Sequence, residues 1–315
     1  MDLKSKLLDP GRTVLLYGTT PPRAGTTQDG VRLAAEKLAA RLAPLPLDGV
    51  VVYDIQDETG RVAAPRPFTF SETVDPRDYA LLLGRPTIVY KALGSMVEQA
   101  WRAWLAATAP RHSLVSVVGR PTSGVRHALP LARAIRIAAE CCTVGGVVIT
   151  ERHTEERSES ARLLAKGIEG CSYFISQAVY HPAATERLLA DYARDCRGAG
   201  VPPRRIVLTF SPVGREKTMA FLRWLGVNVP QQTARAILGA ANPLAKSIEI
   251  CGDNLRRILA HDYAREIPLG INVESVSINR DEIDASVDLF HALAGLLPRQ
   301  EKTQSGALLP SSRRS

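Results

Sequence analysis

The chain has 315 residues, 45% of them hydrophobic and 23% charged, with a formal net charge of +8. That balance belongs to a soluble globular protein with enough chain for one large domain or two, and it excludes the disordered and fibrous classes. The positive charge is spread along the chain as arginines, which points away from nucleic acid and toward a solvated basic surface or a local pocket for an anionic small molecule.

Short apolar runs alternate with helical segments from one end of the chain to the other. In order, the candidate strands are Thr13 to Tyr17, Gly49 to Tyr53, Thr87 to Tyr90, Leu114 to Val118, Val144 to Thr150, Tyr173 to Gln177, Ile206 to Phe210 and Ile271 to Ile278. Most are rich in valine and isoleucine without polar alternation, the composition of parallel strands covered on both faces. Helical patterns lie between them at Gly30 to Leu42, Ser95 to Ala107, Val125 to Cys141, Glu155 to Lys166, Ala183 to Cys196 and Glu216 to Leu225, and a last one at Asp281 to Leu296 follows the eighth run. The stretch from Tyr173 to Pro212 writes out one complete unit: an apolar run ending at Ser176-Gln177, a long helix stopped by Gly198 and Gly200, and a second apolar run ending at Ser211-Pro212.

Alternation of this kind leaves an open doubly wound sheet or a closed barrel. The count of eight, with no GxGxxG after the first strand and no GxxxxGK[ST] anywhere, favours a (β/α)8 TIM barrel. The seventh unit is long, with added helical material from Gln232 to Arg265 broken at Pro243, and this reads as an extension within a single domain covering residues 1–299. Residues 300–315 carry no apolar period and read as a disordered tail.

Cys141, Cys142, Cys171, Cys196 and Cys251 form no CxxC and no regular spacing with histidine, so neither a disulfide framework nor a metal site is expected. Asp9-Pro10-Gly11 interrupts the N-terminal stretch before it could serve as a signal peptide, and no apolar run reaches about 18 residues. A reduced, cytoplasmic protein without membrane or nucleic-acid partners is the expectation, with homo-oligomerisation left open.

A barrel builds its site from the carboxyl ends of its strands. The residues there are Gly18-Thr19-Thr20, Asp54 to Glu58, Lys91, Gly119-Arg120, Glu151-Arg152-His153, Gln177, Ser211 and Asn279-Arg280. Gly119 to Gly124 opens a helix and is either an ordinary turn or an anion cradle, with Arg120 and Arg126 close by. Of the three acids after the second strand, Asp54 lies closest to it and is the candidate general acid or base, while Asp57 and Glu58 read as a solvated loop.

With these residues in place, the chain resembles the methylenetetrahydrofolate reductases, flavin-dependent (β/α)8 enzymes of one-carbon metabolism and methionine biosynthesis. The resemblance covers nearly the whole chain. Its carriers are Pro21-Pro22-Arg23, Glu151-x-His153, Phe174-Ile175-Ser176-Gln177, the Gly200 to Pro212 passage, Trp224-Leu225-Gly226-Val227-Asn228-Val229-Pro230 and Ser277-Ile278-Asn279-Arg280. It implies FAD as cofactor, NAD(P)H as co-substrate and a folate as substrate. Gln177 matches the family's pterin-binding glutamine, and Asn279 and Arg280 fall on the substrate side. His153, Glu159 and Lys166, with Gly119 and Arg120, fall where the family holds its flavin.

Two departures accompany these matches. The family's catalytic glutamate on the first strand aligns with Gly18, and its arginine-glycine-aspartate passage after the fourth strand aligns with Val118-Gly119-Arg120, so a carboxylate becomes a cation. Opening methylenetetrahydrofolate to its iminium form requires protonating a nitrogen, and a positioned acid contributes roughly two to four powers of ten in rate. The sequence therefore carries two expectations. One is an NAD(P)H-dependent reductase in which Asp54 takes over the acid's role. The other is a folate-binding protein, or a folate-dependent one-carbon transferase, that has abandoned flavin reduction.

Overall fold

The computed structural model describes residues 2–58, 63–119 and 129–297. Arg120, the loop that follows it, and the expected tail from residue 300 lie outside the described residues. Eight parallel strands, β1 (Val14–Thr19), β2 (Gly49–Val52), β3 (Thr87–Ala92), β4 (Leu114–Val118), β5 (Thr143–Val148), β6 (Cys171–Ala178), β7 (Arg205–Phe210) and β8 (Leu269–Glu274), follow one another around a closed barrel. β8 pairs back onto β1, with Gly18 in register beside Glu274. The molecule is a single-domain (β/α)8 barrel.

Helix α1 (Leu3–Leu8) precedes the first strand, and α2 (Gln28–Leu42), α3 (Pro76–Leu82), α4 (Glu98–Thr108), α5 (Leu131–Ala139), α6 (Glu159–Ile168) and α7 (Pro182–Ala199) follow β1 to β6 in turn. The connection from β7 to β8 holds α8 (Glu216–Trp224), α9 (Gln231–Leu238), α10 (Pro243–Leu259) and the short α11 (Tyr263–Glu266), and α12 (Arg280–Ala294) follows β8. The lengthened seventh unit is thus helical, and Pro243 begins α10, where a missing N–H costs nothing.

The strands are apolar on both faces because both faces are buried. Val50, Val52, Val89, Val115, Val117, Phe174, Ile206 and Leu208 pack outward with the helices, whereas Val14, Leu16, Val51, Ile88, Leu114, Tyr173, Ile175 and Val207 fill the barrel interior. Residues two apart on a strand share a face, so Gly18, Tyr53, Tyr90 and Asn272 belong to the interior set. Space there is tight: a Cβ built on Gly145 would stand 2.2 Å from the Tyr173 ring.

The amino end of the barrel is closed by α1, whose Leu3 and Leu7 join the interior cluster. Arg205, 2% exposed, caps that plug by donating to the carbonyls of Lys6, Leu7, Asp9 and Leu269. Burial pushes its guanidinium pKa down to about 10. Over the carboxyl end, contacts reach across from α8. Trp224 Nε1 donates to Ala64 O at 3.0 Å, Phe68 and Phe221 meet edge to face at 5.1 Å, and the Arg66 guanidinium lies 4.9 Å from the Trp224 ring. These contacts join α8 to the loop after β2, and β1 and β8 stand between those two elements in the barrel order.

One boundary departs from the sequence expectation in a way that matters. The apolar alternation continues to Ile278, but β8 ends at Glu274. Ser275 Oγ donates to Ser277 O at 2.8 Å, turning the chain, and Ile278 is left 85% exposed.

Candidate active site at the carboxyl end of the barrel

Alternation along β8 carries the interior face from Asn272, fully buried, to Glu274 at the strand's last position. Asn272 Nδ2 donates to Tyr53 Oη at 2.9 Å and to Thr209 Oγ1 at 3.2 Å, and its Oδ1 has no partner among the described residues. The Tyr53 phenol and the Glu274 carboxyl are close enough to shift each other's pKa, Tyr53 lowering that of Glu274 and Glu274 raising that of Tyr53. The Tyr53 ring is steadied by Tyr90, edge-on at 4.9 Å and 78°.

Burial raises the Glu274 pKa from 4.5 to about 6, against the opposing effect of the neighbouring Tyr53 phenol. Burial also holds the Tyr53 and Tyr90 hydroxyls well above their ordinary titration range. The carboxyl is therefore the titrating group of this layer, and it exchanges its proton close to neutrality.

Gly18 explains how the carboxyl fits. A Cβ built on Gly18 would lie 2.7 Å from Tyr53 Oη, 2.8 Å from Tyr53 Cε2 and 3.1 Å from Glu274 Cβ. The absence of a side chain on β1 makes room for a tyrosine from β2 and a carboxyl from β8. Glu274 stands on the neighbouring strand, at the position in register with Gly18.

Asp54 stands elsewhere in the mouth. Its Oδ2 accepts from Lys91 Nζ at 2.8 Å and from the Ala92 backbone N–H at 3.0 Å. It ties β3 to the end of β2, where no backbone acceptor continues the ladder, and the ion pair fixes the side chain.

Gln177 lies at a bulge in β6, where the register with β7 slips between Ile175 and Ala178 and Ser176 Oγ accepts from Thr209 N. Its Nε2 donates to Leu225 O at 3.3 Å, and its Oε1 is buried without a partner among the described residues. An amide held at one end with an unused acceptor at the other suits recognition of a ligand N–H. Asn279 caps α12, its Oδ1 accepting from the N–H groups of Asp281 and Glu282. Arg280 is exposed and pairs with Asp284 at 3.5 Å.

The residues that the resemblance assigns to flavin form a packed polar cluster among β5, α6 and α7. His153, 7% exposed, bonds Asp191 through Nε2 at 2.8 Å and accepts from the Glu159 backbone N–H through Nδ1 at 3.3 Å. Lys166 Nζ donates to Val147 O at 2.8 Å and lies 3.7 Å from the buried carboxylate of Glu159. Burial lowers the Lys166 pKa, with Glu159 opposing that shift. These three side chains are engaged with their own surroundings. Gly119 is partly buried after β4. Among the described residues no group of histidine, cysteine and acidic side chains could hold a metal ion, and no helix is long and apolar enough to cross a membrane.

Tyr53 and Glu274 were both within reach of the sequence as site residues. Tyr53 is the last residue of an expected strand. Glu274 is the one charged residue in the run from Ile271 to Ile278, a pattern that ordinarily needs a reason. Taking that run through to Ile278 places the strand end four residues late and selects the helix cap instead.

No protein-family model and no curated protein matches the chain. Among solved structures, an uncharacterized protein from Clostridium thermocellum that binds two copies of 5-methyl-5,6,7,8-tetrahydrofolic acid is similar at 29% identity with a TM-score of 0.79, over 94% of this chain and 99% of that one. Weaker matches are a 2,3-dimethylmalate lyase, 11% identical with a TM-score of 0.43 over 86% of this chain and 76% of that one, and the dihydropteroate synthase of Xanthomonas albilineans, 15% identical with a TM-score of 0.42 over 94% and 97%.

Proposed function

We propose that this chain is a reduced-folate-binding (β/α)8 barrel that takes a 5-methyl- or 5,10-methylene-tetrahydrofolate at the carboxyl end of its strands. The observation that carries the reading is the end-to-end similarity to a barrel that binds 5-methyltetrahydrofolate. The mouth supports it with complementary chemistry. A pterin presents adjacent N–H donors and acceptors, and Gln177 Oε1, Glu274 and Asn272 Oδ1 offer acceptors near the carboxyl ends of β6 and β8. Isothermal titration with 5-methyltetrahydrofolate tests the reading: saturable binding is expected, weakened about tenfold or more by Gln177→Ala, the loss of one hydrogen bond from a desolvated site.

A second reading, reduction of the methylene bridge with NAD(P)H as hydride donor, is favoured by one observation, the acidic group at Glu274. FAD would supply hydride relay between nicotinamide and folate if it were bound. The described members of the flavin set do not fit it, since His153, Glu159 and Lys166 are already paired within the fold. Folate binding without a resident flavin is accordingly the form we favour. The absorption spectrum of the purified protein separates the two, because flavin bands would restore the cofactor, and oxidation of NADH or NADPH dependent on methylenetetrahydrofolate would establish the reductase.

A further inference from the structure

We infer that Glu274, on the barrel's interior face beside Tyr53, is the acid–base residue of the folate mouth, accepting an N–H of the bound reduced folate as a carboxylate and delivering a proton to that nitrogen when protonated. The inference rests on the folate reading and adds the residue and the proton's path.

The geometry comes first. Glu274 ends β8 on the interior face, in register with Gly18. The Cβ built on Gly18 would come within 3.1 Å of Glu274 Cβ, so the root of the Glu274 side chain borders the space that a β1 side chain would otherwise occupy. Asn272 donates to Tyr53, whose phenol in turn lowers the pKa of the neighbouring carboxyl. The titratable groups that feel this carboxyl are Tyr17 on β1, Tyr53 on β2 and Tyr90 on β3, all phenols with raised pKa that stay neutral. Partial protonation near neutrality follows from burial and suits an exchanging proton.

For a folate carrying a methylene bridge between N5 and N10, the step balances without a co-reactant. The Glu274 proton passes to N10 as the bond from N10 to the bridge carbon breaks and its electron pair remains on N10. The products are the Glu274 carboxylate and an N5 iminium cation, whose positive charge the new carboxylate stabilises. In 5-methyltetrahydrofolate N10 already carries its hydrogen, so the complex with that ligand favours the ionised carboxylate. Binding should then expel the proton that Glu274 holds in the free protein.

Calorimetric titration with 5-methyltetrahydrofolate in buffers of different ionisation enthalpy reads that proton directly. Near the Glu274 midpoint the wild-type protein should release about half a proton per folate bound, falling toward none about two pH units higher. Glu274→Gln should bind with the release abolished, and subtracting its titration removes any protonation of the ligand itself. Tyr53→Phe should keep the release but move its midpoint to higher pH, since the neighbouring phenol that lowers the carboxyl's pKa is lost. Equal proton release by wild type and Glu274→Gln, or folate binding by wild type with no release, overturns the assignment alone. Absence of binding by any of the three overturns the folate reading and the assignment with it.

Discussion

Replacing Gly18 by alanine perturbs the site with one carbon atom. The added Cβ would sit 2.7 Å from Tyr53 Oη and 2.8 Å from Tyr53 Cε2, closer than the 3.0 Å below which real Cβ contacts essentially never fall. The strand backbone is pinned between β2 and β8, so the tyrosine must move. Its ring is held edge-on by Tyr90 and its hydroxyl by Asn272. Overpacking of this kind costs about 1–3 kcal/mol, and losing the Asn272 bond adds about 1 kcal/mol. The reduced freedom of the unfolded alanine chain offsets about 0.4–1 kcal/mol. Urea unfolding should therefore show Gly18→Ala destabilised by about 1–3 kcal/mol, and its folate affinity should fall about tenfold, since a displaced Tyr53 no longer orients Glu274. A Gly18→Ala protein as stable as wild type, with unchanged affinity, would refute the idea that this glycine exists to seat Tyr53 and Glu274.

Further expectations concern the same end of the barrel and its opposite. The Glu274 carboxyl has a pKa near 4.5 when exposed and about 6 in the barrel, so the native state binds more proton between those values and loses stability as pH rises through about 6. Glu274→Gln should consequently gain about 2 kcal/mol over wild type between acid and neutral pH, measured by urea unfolding across that range; a pH-independent difference would contradict the burial of this group. Asp54→Asn breaks the Lys91 ion pair while keeping an acceptor for Ala92, and should cost about 1 kcal/mol or less of stability with little change in folate affinity; a large loss of affinity would return Asp54 to the mechanism. Arg205→Met removes donors to four carbonyls at the closed end and should lower stability by about 3 kcal/mol or more, leaving the affinity of the folded fraction unchanged.

The strands were legible because a parallel barrel buries both faces of each one, which leaves valine-rich runs such as Val50 to Val52 standing out against the helices. α1 and α3 were not anticipated, since they are short and their signals, Asp2 and Asp75 as N-caps, are single residues. The position of a candidate was legible where a polar residue sits at a clear strand end, as Gln177 does on β6. It was hidden where position in space rather than in sequence decides. Gly18 announces a missing carboxylate on β1, but only the closure of β8 onto β1 brings Glu274 to that place. Asp54 looked equally eligible along the chain, and its engagement with Lys91 and Ala92 depends on β3 reaching beyond β2. The flavin set likewise kept its order in the sequence, while the packing of α6 and α7 turned His153, Glu159 and Lys166 toward Asp191, Val147 and one another.

The central claim, that the mouth of this barrel binds a reduced folate, is met most directly by isothermal titration of the purified full-length protein with 5-methyltetrahydrofolate. Saturable binding that Gln177→Ala weakens about tenfold or more is the predicted result. A wild-type protein that takes up no folate at concentrations approaching about 1 mM would contradict it.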